Sequence, residues 1–172
     1  MFTCSRCGLA ALVLLALAFT GCDTNNGGSG TLGDLEGVYA LEELRFDPDA
    51  GGLDEADLGA QLLAQGSASI EIFGDGDDAL LRTPTTGRTD LTVRVFSNSI
   101  EFTAVTVDDE EDLAELFLPR QFRLAFSSSE ARELRADPPL FLPAVNLQAF
   151  DPDNYDGLTA VPGRLYVSFR RP

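Results

Sequence analysis

The chain of 172 residues has no lysine, no histidine and no tryptophan. Its three cysteines, Cys4, Cys7 and Cys22, all fall in the first 22 residues. Each absence removes a class of chemistry. Without histidine, a Ser-His-Asp relay has no base. Without lysine, Ser-Lys dyads and Schiff-base catalysis are excluded. The usual zinc sites need Cys or His in the folded part. Carboxylate pairs of the glycosidase kind remain, but with 28 acidic residues any such pair is expected by chance. The sequence therefore points to no enzyme. The basic residues are 12 arginines, giving a net charge of −16. That charge repels phosphate backbones and anionic headgroups, so nucleic acid is not an expected partner. A hydrophobic content of 44% excludes wholesale disorder.

Only one long apolar run is present. Leu9–Phe19 is uninterrupted over about 11 residues, against roughly 20 needed to span a bilayer. It follows a short start carrying Arg6 and precedes Thr20, Gly21 and Cys22. A basic start, a short apolar core and small residues before a cut read as a secretory signal peptide. The stretch Phe19-Thr20-Gly21-Cys22 resembles the bacterial lipobox. That resemblance implies cleavage before Cys22 and acylation of its sulfur. Cys4 and Cys7 form a C-x-x-C, but both leave with the leader. Asp23–Gly30 (Asp-Thr-Asn-Asn-Gly-Gly-Ser-Gly) is a flexible tether with a reach of about 15 Å. The expected organisation is a signal peptide over 1–21, an acylated Cys22 and linker over 22–34, and one domain over 35–172. A lone Asp23 after the cysteine, instead of an acidic run, favours the periplasm-facing outer membrane of a bacterium.

The rest of the chain is written in period two. Val38–Phe46 is a strand whose apolar parity switches at Glu42–Glu43, which predicts a bulge. Asp54 is the expected N-cap of a short helix containing Leu58 and Leu62 and ending at Gly66. This helix is expected to plug a barrel end or cover an edge, with a lid over a cavity as the alternative. Ile70 and Ile72 alternate ahead of the turn Gly74-Asp75-Gly76-Asp77. Leu91, Val93 and Val95 pair by pattern with Ile100, Phe102 and Ala104 across Ser97-Asn98-Ser99, the clearest hairpin in the chain. Asp108–Asp112 opens a second helix that ends before Pro119. Phe122, Leu124 and Phe126 follow, then a weaker strand over Ala131–Ala136 and another over Val145, Leu147 and Ala149. Gly157–Gly163 reads as a loop, and Leu165, Val167 and Phe169 face inward on the closing strand. Eight or so short amphipathic strands with one or two short helices predict an all-β, antiparallel up-and-down barrel, with a β-sandwich as the alternative.

Gly37-Val38-Tyr39 on the first strand and Gly163–Arg170 on the last make the chain similar to lipocalin-like (calycin) bacterial lipoproteins. In that superfamily the tryptophan of a Gly-x-Trp on the first strand packs beneath an arginine of the last and shuts the barrel base, a tryptophan this chain does not have. The resemblance implies that Tyr39 takes the aromatic place, with Arg164 or Arg170 as its cation. It also implies a cup for a small apolar ligand, for which Phe102, Phe122, Leu124 and Phe169 are the candidate lining residues. An eight-stranded barrel either holds one such ligand or is filled by its own side chains.

The motif Phe46-Asp47-Pro48-Asp49 recurs as Phe150-Asp151-Pro152-Asp153. In the second copy Asp151, Asp153 and Asp156 could offer oxygens to calcium. Asp-Pro-Asp is equally a turn former. The expected function is a membrane-tethered, non-enzymatic barrel that binds a small apolar ligand or serves as a structural envelope module. The alternative is a β-sandwich interaction module, with or without calcium to steady it.

Overall fold

The structure, a computed structural model, describes residues 32–74, 77–126 and 131–172. Cys4, Cys7, Cys22 and the tether lie outside the described residues. The elements in chain order are α1 (Leu32–Leu35), β1 (Gly37–Pro48), β2 (Ala56–Asp57), α2 (Leu58–Gln65), β3 (Ser69–Ile72), β4 (Asp78–Thr83), β5 (Gly87–Val95), β6 (Ser99–Ala104), α3 (Val107–Glu115), β7 (Gln121–Phe126), β8 (Glu133–Arg135), β9 (Leu140–Val145), α4 (Leu147–Phe150) and β10 (Val161–Arg170). The strands β1-β3-β4-β5-β6-β7-β8-β10 run antiparallel, and β10 returns to β1. The sheet closes into an eight-stranded barrel, and the sandwich alternative is set aside by that β1–β10 pairing.

The alternation seen in sequence sets which side chains enter the barrel. Along β1, Tyr39 and Leu41 face in, then Leu44 and Phe46. Between them the pairing skips from Leu41 opposite Phe169 to Glu43 opposite Ser168. The extra residue lets β1 keep its apolar side inward while bending around the barrel. In the β5–β6 hairpin Val93 lies opposite Phe102, with Arg94 and Glu101 paired on the outside. The core runs through every barrel strand, including Ile70, Leu81, Leu91, Ile100, Leu134 and Leu165, each at most 1% exposed.

The base of the barrel carries the starts of β1 and β4 and the end of β10, with α1 beside them. The mouth carries the other helices. Leu58 and Leu62 of α2 and Leu113 of α3 point down into it and are buried. Both helices act as plugs. α3 begins with a capping box, in which the Thr106 hydroxyl accepts from the Asp109 amide and the Asp109 carboxylate accepts from Thr106.

Three local expectations are corrected. α2 begins after Asp57, not Asp54, because Ala56 and Asp57 first pair with Phe46 and Arg45 as β2. The Asp57 carboxylate then caps the helix by accepting from the Ala60 amide at 2.9 Å. The Val145–Ala149 alternation does not continue as a strand. Asn146 accepts from the Ala149 amide at 3.0 Å and starts the helical turn α4. Residues 161–163 are strand, not loop, with Val161 opposite Val145 and Gly163 opposite Leu142.

Gly163 sits where β10 crosses β1 most closely. A Cβ there would overlap the Asp47 carbonyl and the Phe46 ring, which is fully buried. Gly163→Ala is expected to lower stability by about 1–3 kcal/mol, the usual range for overpacking a filled core. A chemical-denaturation midpoint equal to wild type would show that the ring has room to give way.

Candidate functional site

The base of the barrel is shut by Tyr39 and Arg171. The guanidinium carbon of Arg171 lies 4.9 Å from the Tyr39 ring centroid, and its Nη2 donates to the Tyr39 hydroxyl at 2.8 Å. The same nitrogen donates to the Glu36 carbonyl at 2.7 Å and lies 3.4 Å from that of Asp34. The Tyr39 hydroxyl donates onward to the Leu35 carbonyl at 3.0 Å. One cation thus ties the last strand to α1 and the first strand. Gly37, at φ +136, leaves its Cβ side open to the Arg171 guanidinium. Burial raises the Tyr39 phenol above its ordinary pKa, while the Arg171 charge and hydrogen bond pull it the other way.

Arg164 and Arg170 do not take this place. Arg164 faces outward and pairs with Asp49 at 3.3 Å. Arg170 pairs with Glu42 at 3.0 Å and with Glu133 at 3.6 Å. The reason is strand parity. Leu165, Val167 and Phe169 point inward, so the next inward position is 171, and Arg164 and Arg170 fall on the outward parity. That signal was in the sequence.

Phe102, Phe122, Leu124 and Phe169 all face inside and are at most 3% exposed. They fill the barrel instead of lining a cup. Phe102 and Phe122 stack with centroids 5.2 Å apart. The small pocket among Leu44, Leu62, Leu81, Leu116 and Phe169 measures about 10 Å³, at the lower limit for a single water and far below an organic ligand.

At the mouth, α3 is fastened to β5 by its acids. The Asp109 carboxylate, 8% exposed, accepts from the Asp90 amide at 2.7 Å and from the Thr106 hydroxyl at 2.6 Å and amide at 2.9 Å. Thr89 donates to Asp112 at 3.1 Å. Burial alone would raise the Asp109 pKa. The hydrogen bonds from Thr106 and the Asp90 backbone outweigh it and hold the carboxyl below its usual range.

The acidic loop after α4 is a turn. Asp151 accepts from the amides of Asp153 (3.2 Å) and Asn154 (3.1 Å) and from the Asn154 side chain (2.6 Å). Asp156 accepts from Gln148 at 3.3 Å. Asp151, Asp153 and Asp156 are not gathered around one point, and among the described residues no three acids converge to hold a metal ion.

A further concavity lies outside the barrel, beside its mouth. It is an open groove of about 790 Å³ between the end of α3 and β9–α4. Phe117 and Phe150 form an aromatic floor, with centroids 5.8 Å apart edge to face, and Phe117 also meets the core ring of Phe46 at 5.8 Å. Phe117 holds a left-handed backbone, φ 59, where glycine is the usual residue after a helix. No periodicity marks this groove in the sequence, since its residues come from a helix end, a strand broken by prolines and a four-residue helical turn. Compared with known families, curated proteins and solved structures, the chain finds no match.

Two outcomes follow from this geometry. Arg171→Met leaves two carbonyls and a buried hydroxyl short of a donor and should cost about 1–3 kcal/mol. It should also move the Tyr39 titration, followed by ultraviolet absorbance, further upward, because the cation that opposes burial is gone. A melt and a phenol titration unchanged from wild type would deny Arg171 its closing role. For Asp109 the folded pKa lies below the unfolded one, so its contribution is present above the ordinary aspartate range and fades as pH falls through the folded value. Asp109→Asn should melt lower than wild type at pH 7, with the difference shrinking as the pH is taken down to about 3; a pH-independent difference would contradict this account.

Proposed function

We propose that the chain is a lipid-anchored bacterial envelope protein whose lipocalin-like barrel is a solid module that works through its outer surface. In this reading the leader is removed, Cys22 is acylated, and the tether holds the domain close to the periplasm-facing side of the outer membrane. The barrel is a non-enzymatic module without a resident cofactor. The observation that carries the choice between carrier and module is the filled interior. An interior pocket of about 10 Å³ leaves no space for an apolar guest, while Phe102, Phe122, Leu124 and Phe169 occupy the space a guest would need.

The lipocalin-like assignment draws support from the barrel's eight-strand closure and from an aromatic residue of the first strand lying under an arginine after the last. The anchor reading draws support from the lipobox-like stretch and from the position of Leu32–Leu35, where Leu35 is buried at the barrel base beside Tyr39. A tether attached there brings the base towards the lipid and turns the mouth away. No helix among the described residues is long and apolar enough to cross a membrane. The strongly acidic surface, held off an anionic bilayer by charge, suits attachment through a lipid instead of through the protein face.

The test is the state of Cys22. Protein expressed with its leader in a Gram-negative host should fractionate with membranes and show the mass of a chain starting at an acylated Cys22. Cys22→Ser should release it into the soluble fraction with an unchanged melting temperature. An intact leader, or an unmodified thiol on the processed chain, overturns the anchor. Native mass spectrometry of the purified protein should show the polypeptide and its acyl groups alone; a stoichiometric small molecule whose retention is lost in Phe122→Trp would restore the carrier.

A further inference from the structure

The groove beside the mouth lies next to a break in the barrel wall. β8 pairs with β7 only at Ala125 and Phe126, near the base. Above that point the chain passes Pro138 and Pro139, which have no amide hydrogen to give to a ladder, and resumes as β9. β9 pairs with β10 alone and ends the sheet order. The residues of β7 nearer the mouth, Gln121–Leu124, are paired on one side only, with β6. Between β9 and the mouth end of β7 the wall is therefore a seam, and the outer edge of β9 has no strand upon it among the described residues.

The groove at this seam is largely apolar, with one acid in its lining. Leu142, Val145, Phe117 and Phe150 contribute to its lining, and its one charged lining residue is Glu115. α3, which forms one wall, also carries Asp108, Asp109, Glu110, Glu111 and Asp112. The arginine just past the groove, Arg120, pairs with Glu110 at 3.4 Å. The loop that follows α4 in the chain carries Asp151, Asp153 and Asp156. On β9 itself Phe141 is 61% exposed. Phe117 holds its ring on the groove floor at the cost of a backbone conformation that side-chain-bearing residues avoid, and such departures gather at binding surfaces.

We propose that this groove is the docking site for an extended segment of a partner protein, with basic and apolar residues in alternation, which adds as a strand to the free edge of β9. The edge supplies backbone partners, the groove supplies apolar contacts, and Glu115 together with the negative field of a chain at −16 favours arginine or lysine on the segment. The chemistry of the surface argues against other occupants. An acidic lipid surface or a second copy of this chain, at −16, meets the same repulsion. A small molecule would remain largely uncovered in a groove open along its length, whereas small-ligand sites enclose most of the ligand. The inference does not depend on the acylation of Cys22, since the seam belongs to the folded domain.

The experiment uses the full-length protein and a fluorescent peptide of three Arg-Val repeats, read by anisotropy at low salt. Saturable binding is expected, weakened tenfold or more by Glu115→Arg and by Ala144→Trp, which places an indole in the groove from an exposed position. The same peptide methylated on its backbone nitrogens should lose binding by a similar factor, and a Glu-Val counterpart should not bind. Absence of saturable binding, equal binding of the methylated peptide, or indifference to both substitutions would each overturn the proposal. So would saturable uptake of the neutral dye N-phenyl-1-naphthylamine that Ala144→Trp blocks while the peptide does not bind. Glu115 is on the surface of α3, so its reversal provides a folded variant should Ala144→Trp disturb β9.

Discussion

The pairing of the first strand with the last is the constraint on which this barrel rests. β1 and β10 are its longest strands and are bonded to one another from Ala40–Arg170 to Pro48–Gly163. Every other strand lies between them in the chain, so the closing contact joins residues more than a hundred positions apart. Loop-closure entropy must be overcome before this pairing returns anything. What it returns is large. Tyr39, Leu44, Phe46, Leu165, Val167 and Phe169 are buried together along the closing strands, and each such side chain is worth about 1.5–3 kcal/mol against exposure to water. Gly163 allows the two backbones to approach, and the bulge at Glu42–Glu43 keeps both halves of β1 in register with the core. With no cysteine after Cys22, no disulfide can share this task in the folded domain.

Sequence pattern revealed the barrel because a closed amphipathic sheet must alternate, and this one does. The bulge, the β5–β6 hairpin, the α3 start and the plugging of the mouth by α2 were all visible in residue order. Failures came where local bonding competes with periodicity. Asp54 and Asp57 offer equally good caps, and only the pairing of Ala56 with Phe46 decides between them. Val145–Ala149 has strand parity, but the Asn146 side chain captures the Ala149 amide and turns the chain. The arginine at the base was misassigned for a simpler reason. The inward parity of Leu165, Val167 and Phe169 already designates Arg171, whereas family analogy directed attention to its neighbours. The groove had no legible signature, since it is assembled from three elements that only tertiary packing brings side by side.

Filling the barrel moves the burden of recognition to its exterior. The interior aromatics that resembled a ligand cup are instead the core that a domain without disulfides needs. The exterior has two unlike ends. At the base, Arg171 and Tyr39 make a compact seal beside α1. At the mouth, α3 and α4 flank a largely apolar groove with Glu115 in its lining. Ion pairs elsewhere on the wall, such as Arg123–Glu101 at 2.7 Å with Arg123 also 4.0 Å from the Phe96 ring, clothe the acidic surface and contribute little each. The acids themselves serve two ends, fastening α3 through Asp109 and setting the sign of the field around the groove.

The seal at the base has a mechanical meaning. Any pull transmitted along residues 22–31 enters the fold at α1 and meets Arg171 first, because that one side chain grips the Glu36 carbonyl and the Tyr39 hydroxyl. Behind it β1 runs the length of the barrel between bonded neighbours, so a load on its leading end is taken in shear across many hydrogen bonds at once and not peeled from them one by one. A domain leashed at this corner would yield at its leash well before its wall, and the C-terminal residue pair Arg171–Pro172, which looks like a frayed end, is its clasp.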